Sequence, residues 1–234
     1  MHEGIQAPNL RMSNQACVNY YQNDKVLKMR WTQRDATREA SLMYWAGECS
    51  VRLIALVEGP GNEGGFIMER LSPIVPSLMD KQQKVRVMAK MGRQLSLLHQ
   101  KGIIHGDIKL SNILLENDED VKFCDFGSGA LIQENCRPYT LSPRWCSPRR
   151  CGVGRWEALN TQDDWYALGV TVFELFAEMT PLETICDSDV MERIAGGAQP
   201  DVSLCENRQA IDFILACWGQ QNWTAGLISM VMGG

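Results

Sequence analysis

The chain has 234 residues, 45% of them hydrophobic and 22% charged, with a net charge of −5. That length holds one full domain or two small lobes, and the apolar fraction excludes disorder as the main state. Lys and Arg number 23 against 28 Asp and Glu, so no nucleic-acid partner with its matching basic face is expected.

In chain order, segments 16–21 and 25–31 flank Gln22-Asn23-Asp24 as a strand-turn-strand. Segment 35–45 reads as a helix with Ala36, Ala40 and Met43 on one face. Segments 51–57 and 66–68 flank the turn-rich run 58–65, a second hairpin. After Leu71 the pattern turns helical. Segment 85–100 carries Val85, Met88, Leu95 and Leu98 at helical spacing, and Gly102 follows its end. Two short strands, 112–116 and 121–124, enclose an acidic turn. A loop of about 35 residues follows, and loops of that length are usually functional. Segment 164–179 is apolar nearly all round, which predicts a helix central to its lobe. Segments 188–196 and 208–218 are the last helix candidates.

The last 22 residues, 213–234, carry no charge and match a membrane span in length. Gly219, Gln220, Gln221 and Asn222 interrupt the run, so a buried terminal helix pair is expected and no membrane association. Residues 1–12 lack the apolar core of a signal peptide. The nine cysteines include no CxxC pair, and a disulfide framework belongs to smaller secreted domains. Reduced thiols in the cytoplasm or nucleus are the expectation.

The chemistry concentrates in Ile103-Ile104-His105-Gly106-Asp107-Ile108-Lys109-Leu110-Ser111-Asn112 and in Asp125-Phe126-Gly127. Asp107, Asn112 and Asp125 are oxygen ligands of the kind Mg²⁺ takes alongside phosphates. Lys109 lies two residues beyond Asp107, so an extended loop points both side chains the same way. Such a pair can orient a hydroxyl and neutralise charge on a transferring phosphoryl group.

The pattern H-x-D-I-K-x-x-N, with D-F-G eighteen residues beyond its Asp, resembles the catalytic and metal-binding loops of the eukaryotic-type protein kinase domain. The resemblance extends from about Ala16 to Trp218. It implies an α+β, bilobal fold with a small, shortened β-rich N-lobe and a mainly helical C-lobe. Residues 1–234 would form one such domain, with 1–71 as N-lobe and hinge and 72–234 as C-lobe. It further implies that Asp107 takes or orients the substrate hydroxyl proton, that Lys109 meets the γ-phosphate, and that Asn112 and Asp125 bind Mg²⁺. Lys28 of Val26-Leu27-Lys28 would hold the ATP α- and β-phosphates and pair with Glu39. Met68 would be the gatekeeper, with the Glu69 and Leu71 backbone facing adenine. Val26 and Leu114 would sandwich the base, and Asp164 would anchor the catalytic loop. Segment 143–148 resembles the substrate-docking loop.

Four departures stand out. The window 6–13, Gln-Ala-Pro-Asn-Leu-Arg-Met-Ser, lacks the glycines that let backbone N–H groups cradle phosphates, and no first strand is expected there. Only eleven residues separate Lys28 from Glu39. Gly106 stands where regulated kinases carry an Arg that receives an activation-loop phosphate. Arg149 replaces a Glu whose usual Arg partner is also missing.

Three functions follow from the resemblance. The first is phosphoryl transfer from ATP to Ser or Thr of a protein substrate. The second is a weak or inactive pseudokinase that scaffolds or decoys a partner kinase. The third is a small-molecule phosphotransferase, suggested by His-Gly-Asp and opposed by Lys109 and the docking loop.

Overall fold

The alternating pattern of strand β3 (Lys25–Arg30) turns Val26, Lys28 and Arg30 to its buried side and leaves the intervening residues half-buried. It lies at the centre of a five-stranded antiparallel sheet in the order β1-β2-β3-β5-β4. The other strands are β1 (Asn9–Met12), β2 (Ala16–Tyr20), β4 (Leu53–Glu58) and β5 (Gly64–Glu69). The computed structural model describes residues 9–12, 16–21, 24–59, 61–136, 142–152 and 157–232. The glycine-free window does contain a strand, contrary to expectation, because β1 pairs along the free edge of β2. Its residues 6–8 and 13 lie outside the described residues, as do Gln22 and Asn23 of the first turn.

Helix α1 (Gln33–Ala46) packs on this sheet. It starts two residues before the sequence signal, because Thr32 caps it by accepting a hydrogen bond from Asp35 N at 3.1 Å. Its buried face carries Ala36, Ala40 and Met43, and Glu39 among them.

Helix α2 (Lys81–Gln100) begins four residues early for the same reason: Asp80 accepts from Gln83 N at 2.8 Å. It buries Val87, Met88, Met91, Leu95 and Leu98. Beyond it lie short strands: β6 (Ser72–Pro73) precedes it, and β7 (Ile103–Ile104), β8 (Ile113–Leu115), β9 (Val121–Phe123) and β10 (Ala130–Leu131) follow. The long loop is not structureless. It contains β10, a turn at Pro143–Trp145 and helix α3 (Pro148–Cys151).

Helix α4 (Thr161–Ala177) is the centre of the helical part and buries eleven of its residues, in line with its all-round apolar pattern. Helices α5 (Val190–Ala195), α6 (Arg208–Cys217) and α7 (Ala225–Met232) complete it. α7 packs on α2. Gly92 permits that approach, since a Cβ there would meet Val231 at 2.9 Å and Phe213 at 3.2 Å. Among the described residues, no helix is long and apolar enough to cross a membrane.

Candidate active site

A cleft of about 630 Å³ lies beneath the sheet, within the usual range for a small-molecule site. It is lined by Val26 and Lys28 of β3, Met68, Glu69 and Leu71, and by Asn112, Leu114 and Asp125. Eight of the sequence-derived positions thus share one cavity. Val18 and Tyr20 of β2 and Cys124 also line it, and sequence reasoning missed them. The first of these was open to inference, because the strand pairing sets Val18 opposite Lys28.

Lys28 Nζ donates to Glu39 Oε1 at 2.6 Å and to Asp125 Oδ1 at 2.7 Å. Lys28 is 4% exposed and Glu39 1%. Burial alone would lower the Lys28 pKa, but the Glu39 and Asp125 carboxylates outweigh it and raise it above the ordinary lysine value. Burial acts to raise Asp125 too, and the Lys28 ammonium overrides it, holding that carboxyl well below the usual range. Burial wins at Glu39, whose carboxyl is pushed up despite Lys28. Asp125 adopts the left-handed conformation, φ 64° and ψ 65°, a costly setting for a non-glycine residue that points to a functional turn. Phe126 behind it is fully buried with its ring 4.7 Å from that of His105.

Asp107 and Lys109 lie outside that cleft and join it through Asn112. Lys109 Nζ donates to Asp107 Oδ2 at 2.6 Å and to Ser142 Oγ at 2.7 Å. Asn112 Nδ2 donates to the same Asp107 oxygen at 3.0 Å and to Asp107 O at 2.9 Å. Its amide nitrogen is thereby committed, which leaves its carbonyl oxygen as the atom it could offer to a cation. Asp125 offers a carboxylate only partly engaged by Lys28. An oxygen-only pair of this kind fits Mg²⁺, which keeps several waters and shares phosphate oxygens.

The loop that begins at His105 is fixed from α4. Asp164, 1% exposed, accepts from His105 N and Gly106 N at 2.8 Å each, and His99 Nε2 lies 2.9 Å from it. Gly106 has φ 77°, and a Cβ there would meet Ser128 O at 2.5 Å. Backbone geometry therefore requires glycine at this position and excludes the arginine of regulated kinases.

Two further anchors had no sequence signal. Arg38, beside Glu39 on α1, donates to Gly129 O at 3.1 Å and pairs with Glu134 at 2.9 Å. Arg149 is not without a partner: it pairs with Glu157 at 2.7 Å and with Asp163 of α4. Ser147 Oγ donates to Asp163 as well, at 2.8 Å, so segment 143–148 is tied to α4 by a substitute pair.

The model of the protein kinase domain matches residues 57–222. The chain is 26% identical over 182 residues to the tyrosine-protein kinase sid-3 of Caenorhabditis elegans, covering 72% of this chain and 14% of that protein. It is 30% identical over 157 residues to the serine/threonine-protein kinase pakG of Dictyostelium discoideum, covering 64% and 13%. It is 34% identical over 100 residues to protein kinase C zeta type of Oryctolagus cuniculus, covering 42% and 16%. The chain thus spans about a seventh of the length of such relatives, and they differ in acceptor hydroxyl. A sheet-bearing N-terminal part, a helical C-terminal part and a model match across most of the chain place it in the protein kinase family.

Proposed function

We propose that the chain transfers the γ-phosphoryl group of ATP to Ser or Thr hydroxyls of a protein substrate. The observation that carries this reading is the Lys28 ammonium held between Glu39 and Asp125 at the wall of the cleft. Lys28 binds the α- and β-phosphates, and Glu39 sets its direction. Val26 and Leu114 sandwich the base, and the backbone of Glu69 and Leu71 orients it beside Met68. Asn112 and Asp125 would hold Mg²⁺, which would neutralise charge on the phosphate oxygens. Asp107 Oδ2 orients the acceptor hydroxyl and takes its proton, and Lys109 offsets charge on the transferred group. Serine and threonine are favoured over tyrosine as acceptors because Lys109 matches the lysine that serine/threonine kinases carry at this place in the loop this segment resembles. In this reading residues 1–234 act as one domain, within the cytoplasm or nucleus.

The glycine-free window favours a second reading, a pseudokinase that binds a partner kinase. A thermal melt with and without Mg-ATP separates the two. Ligand at about 100 times its Kd adds roughly 2.7 kcal/mol. A magnesium-dependent upward shift that Asp125→Asn abolishes is expected. Absence of any shift at millimolar Mg-ATP refutes the phosphotransferase reading and leaves the scaffold.

A further inference from the structure

The turn around Ser147 brings two thiols together. Ser147 caps α3, its Oγ accepting from Arg150 N at 3.3 Å, and Pro148 takes the first helical position. In this arrangement the residue before the cap and the fourth residue after it meet side chain to side chain. Those residues are Cys146 and Cys151. Cys146 packs against the buried cluster that contains Cys151. Both pack in one apolar cluster with Val190 and Ile194. Cys146 N also donates to Pro143 O at 3.0 Å, and Cys151 Sγ lies 3.9 Å from that oxygen.

The two sulfurs are not equivalent. The neighbouring Cys146 lowers the Cys151 pKa against the opposing effect of burial, and Arg150 lowers it further. Cys146 is pushed up, first by Cys151 and then by burial. Cys49 and Cys205, which are buried, are each pushed up to about 11. On the Cys146 side of the pair, a cavity of about 20 Å³ lined by Cys146, Arg150 and Asp107, but not by Cys151, has room for a water-sized molecule.

We propose that Cys146 and Cys151 are a peroxide-oxidisable dithiol that closes to a disulfide within the docking loop. The Cys151 thiolate attacks one oxygen of hydrogen peroxide, breaking the O–O bond. This gives a sulfenic acid and hydroxide, which takes up a proton to become water. The Cys146 sulfur then attacks the sulfenic sulfur, its proton leaves with the hydroxyl as water, and the S–S bond forms. Two thiols and one peroxide become one disulfide and two waters. The closed bond fixes the turn next to Trp145, whose Nε1 donates to Glu174 at 3.1 Å.

Trypsin cuts after Arg149 and Arg150, so the oxidised pair joins two peptides that separate on reduction. The full chain is treated with stoichiometric hydrogen peroxide, its remaining thiols are alkylated, and the digest is analysed by mass spectrometry without reductant. The Cys146–Cys151 peptide pair is expected as the main linked species, formed faster in the folded chain than in guanidinium-denatured chain. In Cys146→Ser, dimedone is expected to label Cys151. Alkylation of both cysteines after peroxide, preferential linkage of either to another cysteine, or equal rates in folded and denatured chain overturns the proposal.

Discussion

Two charged clusters carry the site, and they are built in opposite ways. Asp107, Lys109 and Asn112 are two and five residues apart, on one loop whose local geometry brings them together. Lys28, Glu39 and Asp125 are eleven and ninety-seven residues apart and meet only when sheet, α1 and the D-F-G turn are packed. The short-range cluster can be altered with little damage to folding. The long-range one is both a site and a structural joint, because its Lys28 and Glu39 are almost fully buried.

That contrast is sharpest in kcat. Asp107→Asn keeps the hydrogen bonds from Lys109 and Asn112 in outline but removes the proposed proton acceptor. Protein phosphorylation should fall about 10²–10⁴-fold, equivalent to roughly 3–5 kcal/mol of barrier, while the melting midpoint stays near wild type. Steady-state kinetics beside a thermal melt checks it, and an unchanged kcat would remove Asp107 from the mechanism.

Lys28→Met tests the other cluster. It leaves the buried Glu39 carboxylate without its closest cation, at a cost of about 3–5 kcal/mol. Urea denaturation should show the loss, and Glu39→Gln in the same chain should recover part of it. Equal stabilities for wild type and Lys28→Met would mean the joint contributes nothing. The pair of Arg38 of α1 and Glu134, just beyond β10, with side chains 30% and 40% exposed, is a far weaker tie, of order 0.2–1 kcal/mol.

The smallest effect is a pH dependence. His105 is fully buried, its Nδ1 accepts from Asp107 N at 3.3 Å, and its Nε2 lies 3.0 Å from Cys124 O. Burial lowers its pKa below the ordinary 6.5, so the folded form stays neutral where the unfolded chain takes a proton. Stability contributed by His105 is therefore complete above that unfolded value. It declines as pH falls through it toward the depressed folded value, by up to about 1.4 kcal/mol per pH unit. Denaturation midpoints of wild type and His105→Gln should converge on acidification. Parallel curves would show that this ring does not titrate between the two states.

The legibility of the site follows the same division. The pattern from His105 to Asn112 could be read because a loop fixes the mutual placement of residues so close in sequence. The helices were legible in kind, and their starts were missed where Thr32 and Asp80 act as caps outside the apolar pattern. β1 escaped because its pairing with β2, not its own residues, makes it a strand. The His99 contact with Asp164 and the Arg149 pairs had no sequence signal, because they join residues whose distance along the chain says nothing of their distance in space.

The sequence by itself determined the residue types that can bind phosphate and metal, the loop on which most of them sit, and the family. Only the tertiary structure decided that Asp125 joins Glu39 on Lys28, that Gly106 must be glycine, and that Cys146 packs in one cluster with Cys151. The physical reason is that chemistry resides in single side chains, whereas burial, ion pairing and steric exclusion belong to pairs brought together by packing.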